Sequence, residues 1–292
     1  MNNEIAVIDP KNPSFNVSIC PKMLKKDARL DPALRFNKEH VSGLLSLQWE
    51  LTFQNQASIS DPVSVLVLAE DIVYWDLKRP DGTNVPFDFI LASLTAWPLA
   101  QNEAISARGS KYLDPDMSMD KWMENCYQDL FANKRHRLVV DPYEDPWPPA
   151  GKNGDSMQTI KTPQEALQVR KVNSLEAALL VSALEYSVFK DSQRLVLLAL
   201  PAADSDNPGA KQFLLAWPKK KDTWEAIDLT APNGTPFQQN LASATARLDT
   251  ALKSAPILKE LGSGGIYIAK ERRLLAIDFL KAAQVYQIKG PP

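Results

Sequence analysis

Histidine is nearly missing from this chain: His40 and His136 are the only two in 292 residues. Imidazole is the commonest general base and orienting group in nucleophilic and metal-assisted hydrolysis. Such chemistry is therefore restricted to sites within reach of one of two positions. Cysteine is as scarce. Cys20 and Cys126 cannot build a disulfide framework, and no C-x-x-C pair is present to hold zinc. No strong charge of either sign is present, with 33 Lys+Arg against 35 Asp+Glu and a formal net charge of -2. That balance gives no general pull toward nucleic acid or an anionic membrane. No apolar run approaches the ~18 residues of a membrane-crossing helix. The opening MNNEIAVIDPKNPS lacks a basic region followed by an apolar one, the pattern of a secretory leader. The expectation is a cytoplasmic protein, or an exported one whose leader has been removed.

What is present is ordinary for a globular chain: 45% apolar and 23% charged residues. The length suits two domains, or one with extensions. Residues 1–36 mix Pro, Asn and Lys without a period and read as an extended arm. In LSLQWELTFQ (45–54), Leu45, Leu47, Trp49, Leu51 and Phe53 alternate with polar residues, which predicts a half-buried strand. VSVLVLA (63–69) and IVYWDL (72–77) read as further strands, and RPDGT (79–83) as a turn. The first third is thus expected to be a β-rich domain.

Helical spacing appears over 116–132, where Trp122, Cys126 and Leu130 recur beside Met123, Tyr127 and Phe131. Cys126 on that apolar face is expected to be a buried, inert thiol. DPYEDPWPPAGKNGD (141–155) is a Pro- and Gly-rich loop. Thr162-Pro163-Gln164-Glu165 is a capping box opening a short helix, and Asn173-Ser174-Leu175-Glu176 caps a second, strongly apolar helix through Tyr186. RLVLLAL (194–200), KQFLLAW (211–217) and TWEAIDL (223–229) read as strands, the last two as a hairpin across PKKKD. Phe237, Leu241, Leu248 and Leu252 mark a helix over 237–255, stopped by Pro256, and GIYIA and RRLLAIDF close the chain as strands.

The segment TPQEALQVRKVNSLEAALLVSALEY, then RLVLLALP, then FLLAWPKKKDTWEAIDLT, resembles the transglutaminase-like superfamily, whose fold is papain-like. The family shows a Thr-Pro-x-Glu helix, a cysteine at the tip of a buried helix, a strand bearing His-Ala-Trp, and a strand reading Trp-x-x-x-Asp-x-Thr. The resemblance covers about the middle quarter of the chain. It implies an α+β fold with a core of one buried helix on an antiparallel sheet, preceded by the β-rich domain. The implied divisions are 1–105, 106–240 for the core, and 241–292 for a helix and strands completing it. The family's cysteine falls on Ser174, its histidine on Leu215 and its aspartate on Asp228.

Two of three catalytic positions are therefore substituted. A helix N-terminus stabilises a thiolate, but a serine hydroxyl needs a base, and leucine is not one. Loss of members of such a unit costs orders of magnitude in rate. The expectation is a non-catalytic binding or scaffold module for a polypeptide or glycan, binding through Asn173, Ser174, Trp217, Trp224 and Asp228. The alternative is a serine-nucleophile hydrolase or acyltransferase with His136 as a displaced base. No cofactor and no metal are expected. Asn173 or Ser174 is otherwise a plain helix cap, Asp228 a strand-end acceptor for Thr230, and Trp217 and Trp224 core or hairpin residues.

Other signals are weaker. Asp114, Asp116, Ser118 and Asp120 begin like a calcium loop, but Met119 and Asn125 occupy its Gly and Glu positions, so helix-capping acids are expected. Lys134–Arg137 and Lys219–Lys221 are basic clusters of a solvated surface. Gly262-Ser263-Gly264-Gly265 lacks the context of a phosphate loop and reads as a mobile turn. Sequons at Asn16 and Asn233 carry no weight without a secretory context.

Overall fold

The computed structural model describes residues 41–45, 48–51, 56–59, 63–67, 72–75, 83–99, 102–113, 118–132, 138–140, 157–169, 171–190, 195–201, 211–220, 223–231, 234–269 and 274–288. The arm 1–36, the turn at 79–82, the loop 141–155, both histidines, Cys20, Asp114, Asp116, Lys134–Arg137 and both sequon asparagines lie outside these residues. The chain divides into two compact units, Met1–Glu70 and Asp71–Pro292.

In the first unit, β1 (Val41–Leu45) pairs antiparallel with β4 (Val63–Val67), and β2 (Gln48–Leu51) pairs with β3 (Gln56–Ile59). The alternating stretch 45–54 is divided between two strands, with Leu45 ending β1 and Gln48 opening β2.

The second unit begins with β5 (Ile72–Tyr74) and three short helices, α1 (Phe87–Ser93), α2 (Ala96–Leu99) and α3 (Glu103–Ser110). Helix α4 (Met119–Tyr127) continues directly into a π-helical turn, Gln128–Ala132. The two-residue strand β6 (Val139–Val140) and β7 (Met157–Thr159), which pairs with β5, lead to α5 (Pro163–Gln168). Then come β8 (Lys171–Val172), parallel to β6, and α6 (Ser174–Phe189). Strands β9 (Val196–Pro201), β10 (Lys211–Lys220) and β11 (Thr223–Asp228) follow. Helices α7 (Phe237–Ser254) and α8 (Ile257–Gly264), strands β12 (Ile266–Ile268) and β13 (Leu275–Asp278), and α9 (Phe279–Val285) complete it.

This unit is α+β. Its five-stranded sheet is antiparallel throughout, in the order β11-β10-β9-β13-β12, and helices cover both faces. Strand alternation separates two apolar sets. Leu197, Phe213, Leu215, Trp217, Ile227 and Ile277 share one core with α6, whereas Val196, Leu198, Leu214, Ala216, Ala226 and Ala276 share the other with Ala244 and Leu248 of α7. Helix α6 is buried on every side from Ser174 to Glu185, as its predominantly apolar sequence requires, with Ser174, Glu176, Ser182 and Glu185 the polar exceptions. Around it pack α2, α3 and α5.

The turn expected at 262–265 is instead the end of α8, with Gly265 as its left-handed cap. The last strand stops at Asp278, whose carboxylate accepts the Lys281 N–H at 2.9 Å and starts α9.

Cys126 is fully buried. Burial first, then the charge of Asp129, pushes its thiol up, against the opposing pull of Arg108. Burial also raises Tyr112 and Tyr127, partly offset at Tyr127 by its hydrogen bond with Asn240. In the unfolded chain these groups ionise near pH 8.5 for the thiol and 10 for the phenols. The folded state holds its protons longer, so this contribution is complete below about pH 8 and declines as pH rises, by up to ~1.4 kcal/mol per pH unit per group. Unfolding free energies from pH 7 upward should therefore fall beyond about pH 8.5, and Cys126→Ala should delay the onset to about pH 10. An identical onset in both chains would contradict this.

Candidate functional site

The tip of α6 is built by reciprocal capping. Asn173 Oδ1 accepts the Glu176 N–H at 2.8 Å, and Glu176 Oε2 accepts the Asn173 N–H at 2.9 Å. Glu176 Oε1 also accepts the Lys161 backbone N–H at 2.8 Å, and the Lys161 ammonium lies 3.1 Å from the carboxylate. Glu176 is 1% exposed. Ser174 is 3% exposed and its neighbours Asn173 and Leu175 are completely buried. One N–H at the helix start is thus already taken up by its own cap, and the hydroxyl lies in the interior. Asn173 Nδ2 is a buried donor without a hydrogen-bond partner among the described residues.

Helix α6 packs against β10, on the sheet face that carries Leu215. Leu215 is fully buried and its cross-strand partner is Ile227. Asp228 is opposite Leu214, on the face that α7 covers. There its carboxylate accepts from the Thr230 N–H at 2.7 Å, the Thr230 hydroxyl, and Arg247 Nη1 of α7 at 2.8 Å. Of the three positions aligned with a catalytic unit, Ser174 and Leu215 belong to the α6 side of the sheet and Asp228 to the other. A carboxylate so placed does not orient a group at position 215.

The remaining candidates are also inward-facing. Trp217 is fully buried and donates its indole N–H to Asp120 Oδ1 at 2.8 Å, which gives that acid a structural partner. Trp224 is half-buried against the α7-side core. Lys219 at the hairpin pairs with Glu225. Among the described residues no group of three or more His, Cys, Asp or Glu is placed to hold a metal ion. No helix there is long and apolar enough to cross a membrane.

Asp228 does stand at the rim of a shallow open hollow with room for about one water molecule (≈ 10 Å³), lined also by Tyr127, Phe131, Val140, Leu229, Ala231 and Gly234. The π-helical turn after α4 contributes Phe131, with Tyr127 just before it; such turns recur at functional sites. Tyr127 donates to Thr235 O at 2.9 Å and accepts from Asn240 Nδ2 at 3.0 Å. The Tyr127 phenol and the Asp228 carboxylate at the hollow are therefore already engaged, and its wall mixes polar and apolar surface. Helical spacing in 116–132 already marked Tyr127 and Phe131 as apolar-face residues, but nothing in the sequence signals the hollow they border.

Comparison with family models, curated proteins and solved structures returns no match.

Asp228→Asn should destabilise the chain by about 1–2 kcal/mol, because the amide keeps an acceptor for Thr230 but presents no charge to Arg247. Asp228→Ala should cost more. Urea midpoints followed by tryptophan fluorescence measure both, and equal midpoints for all three chains would exclude this bracing role.

Proposed function

We propose that this chain is a non-catalytic binding or scaffold module on a transglutaminase-like, papain-like frame, preceded by a small β-rich domain, and that its ligand is a partner polypeptide. The frame is supported by the order of α6 followed by β9, β10 and β11, with the helix laid against the sheet. The observation that carries the reading is Asp228. Its carboxylate is held by Arg247 and Thr230 on the face away from α6, at the edge of a hollow walled by Phe131, Val140, Leu229 and Ala231. With room for about one water molecule (≈ 10 Å³), the hollow is a shallow surface indentation, far below the ~300–1,000 Å³ common for small-molecule pockets. A hollow this shallow can receive the edge of one apolar side chain at a polypeptide interface but cannot enclose a small molecule. A glycan would need free hydrogen-bonding groups, and the phenol and carboxylate here are already engaged.

The test is selection of a displayed peptide library on the full chain and on Ala231→Trp, which fills the hollow. Selected peptides should carry a recurring apolar side chain and lose about tenfold or more in affinity for the variant. Equal binding to both chains would exclude the hollow. Binding to a glycan array in place of peptides would overturn the partner class. Labelling of Ser174 by a fluorophosphonate would overturn the non-catalytic assignment.

A further inference from the structure

Among the described residues, strand β11 is one edge of the five-stranded sheet and pairs with β10 alone. The Leu229 N–H, just beyond the strand, points to β10 and donates to Phe213 O at 2.8 Å. Strand alternation gives Ile227 and Glu225 the same direction, so Trp224, Ala226 and Asp228 turn their backbone groups outward. An outward row of N–H and C=O groups is a template on which another strand can pair. Here α7 occupies it with side chains. Thr245 Oγ1 accepts the Ala226 N–H at 3.1 Å, and Asn240 Oδ1 accepts the Asp228 N–H at 2.6 Å. Asn240 Nδ2 also donates to Asp228 O at 2.9 Å. One side-chain amide thus meets both backbone groups of one residue, the pattern that a hydrogen-bonded residue of an antiparallel neighbour would supply. Arg247, on the same helix, binds the Asp228 side chain. The opposite edge is treated differently: β12 has three residues, and α1 packs against it.

We propose that α7 is an edge cover, in which Asn240 and Thr245 stand in for a missing strand and prevent β11 from pairing with β11 of a second copy of this chain. This stands independently of the hollow and its ligand. Pairing of two β11 edges needs the Ala226 and Asp228 amides free, so loss of either substitute acceptor should promote it.

Thr245→Val keeps the shape of the side chain and removes the acceptor; Thr245→Ser keeps the acceptor. Amide exchange resolved by NMR should show Ala226 exchanging about fivefold or more faster in Thr245→Val and close to the natural rate in Thr245→Ser. Light scattering should show a mass that rises with concentration in Thr245→Val beyond the natural chain, and not in Thr245→Ser. Asn240→Leu should associate more strongly; should it fail to fold, the threonine pair still decides the matter. Unchanged exchange at Ala226 in Thr245→Val overturns the proposal. So does faster exchange without added association, or equal association of the Val and Ser variants, which would assign the effect to packing.

Discussion

Replacing Glu176 with alanine should lower the unfolding free energy by about 3–5 kcal/mol, the range for removing one partner of a buried, charge-assisted network. The carboxylate is 1% exposed and accepts from two backbone N–H groups as well as from the Lys161 ammonium. Alanine leaves the Asn173 N–H without its acceptor inside the protein, and the Lys161 N–H without one at its margin. Lys161 itself loses less, because its side chain is 34% exposed and can turn to water. Glu176→Gln should fall in between: it retains one acceptor oxygen, while its NH2 faces a donor. Since small domains are stable by only ~5–15 kcal/mol in total, the alanine variant should unfold at a clearly lower urea concentration. A loss below about 1 kcal/mol would mean that the cap and its lysine contribute no more than an exposed ion pair.

That cap is legible in the sequence. Asn173 and Glu176, like Thr162 and Glu165, stand at the spacing of a capping box, and both boxes form with both reciprocal bonds. Local signals of this kind depend on residues a turn apart. Strands β9, β10 and β11 are equally legible from short apolar runs bounded by breakers, as is α7 from its period.

The direction of Asp228 is not legible. It depends on register across the β10–β11 hairpin, where Pro218 pairs with Trp224 but Lys220 pairs with Thr223, leaving Lys219 as an extra residue. A one-residue bulge turns every later side chain to the opposite face, and PKKKD does not announce where the extra residue falls. The family resemblance alone sets Asp228 beside position 215; the bulged register sets Ile227 there and Asp228 against α7. Helices α1–α3 escape a reading of the sequence for another reason. They are seven, four and eight residues long, too short for a period to stand out, and α1 starts at Pro86 without a side-chain cap. Gly109 on α3 is explained only by packing: a Cβ there would lie 2.6 Å from Leu184 O on α6.

Gly265→Ala should destabilise by about 3 kcal/mol, combining a left-handed backbone penalty of ~1–2 kcal/mol with overpacking of ~1–3 kcal/mol. Gly265 has φ 75°, a conformation that glycine adopts without a Cβ penalty. An added methyl would meet the backbone of α9, with Ala282 Cα at 2.7 Å and the Lys281 carbonyl carbon at 2.8 Å. Backbone cannot swing aside as a side-chain end can. The same residue closes α8 through its N–H to Leu261 O at 2.9 Å, and its carbonyl accepts the Asp278 N–H at 2.8 Å. Relief by shifting residue 265 would therefore disturb the α8 cap, the β12–β13 pair and the start of α9 together. Gly262 lies three residues earlier in the same run. A methyl group added there would meet no atom within 4 Å, so Gly262→Ala is the internal control. Inside α8 it should be neutral or stabilising by up to about 1 kcal/mol. Thermal unfolding of the two variants side by side checks the contrast. Equal melting temperatures would show that neither the positive φ nor the contact with α9 constrains the C-terminal part of the sheet.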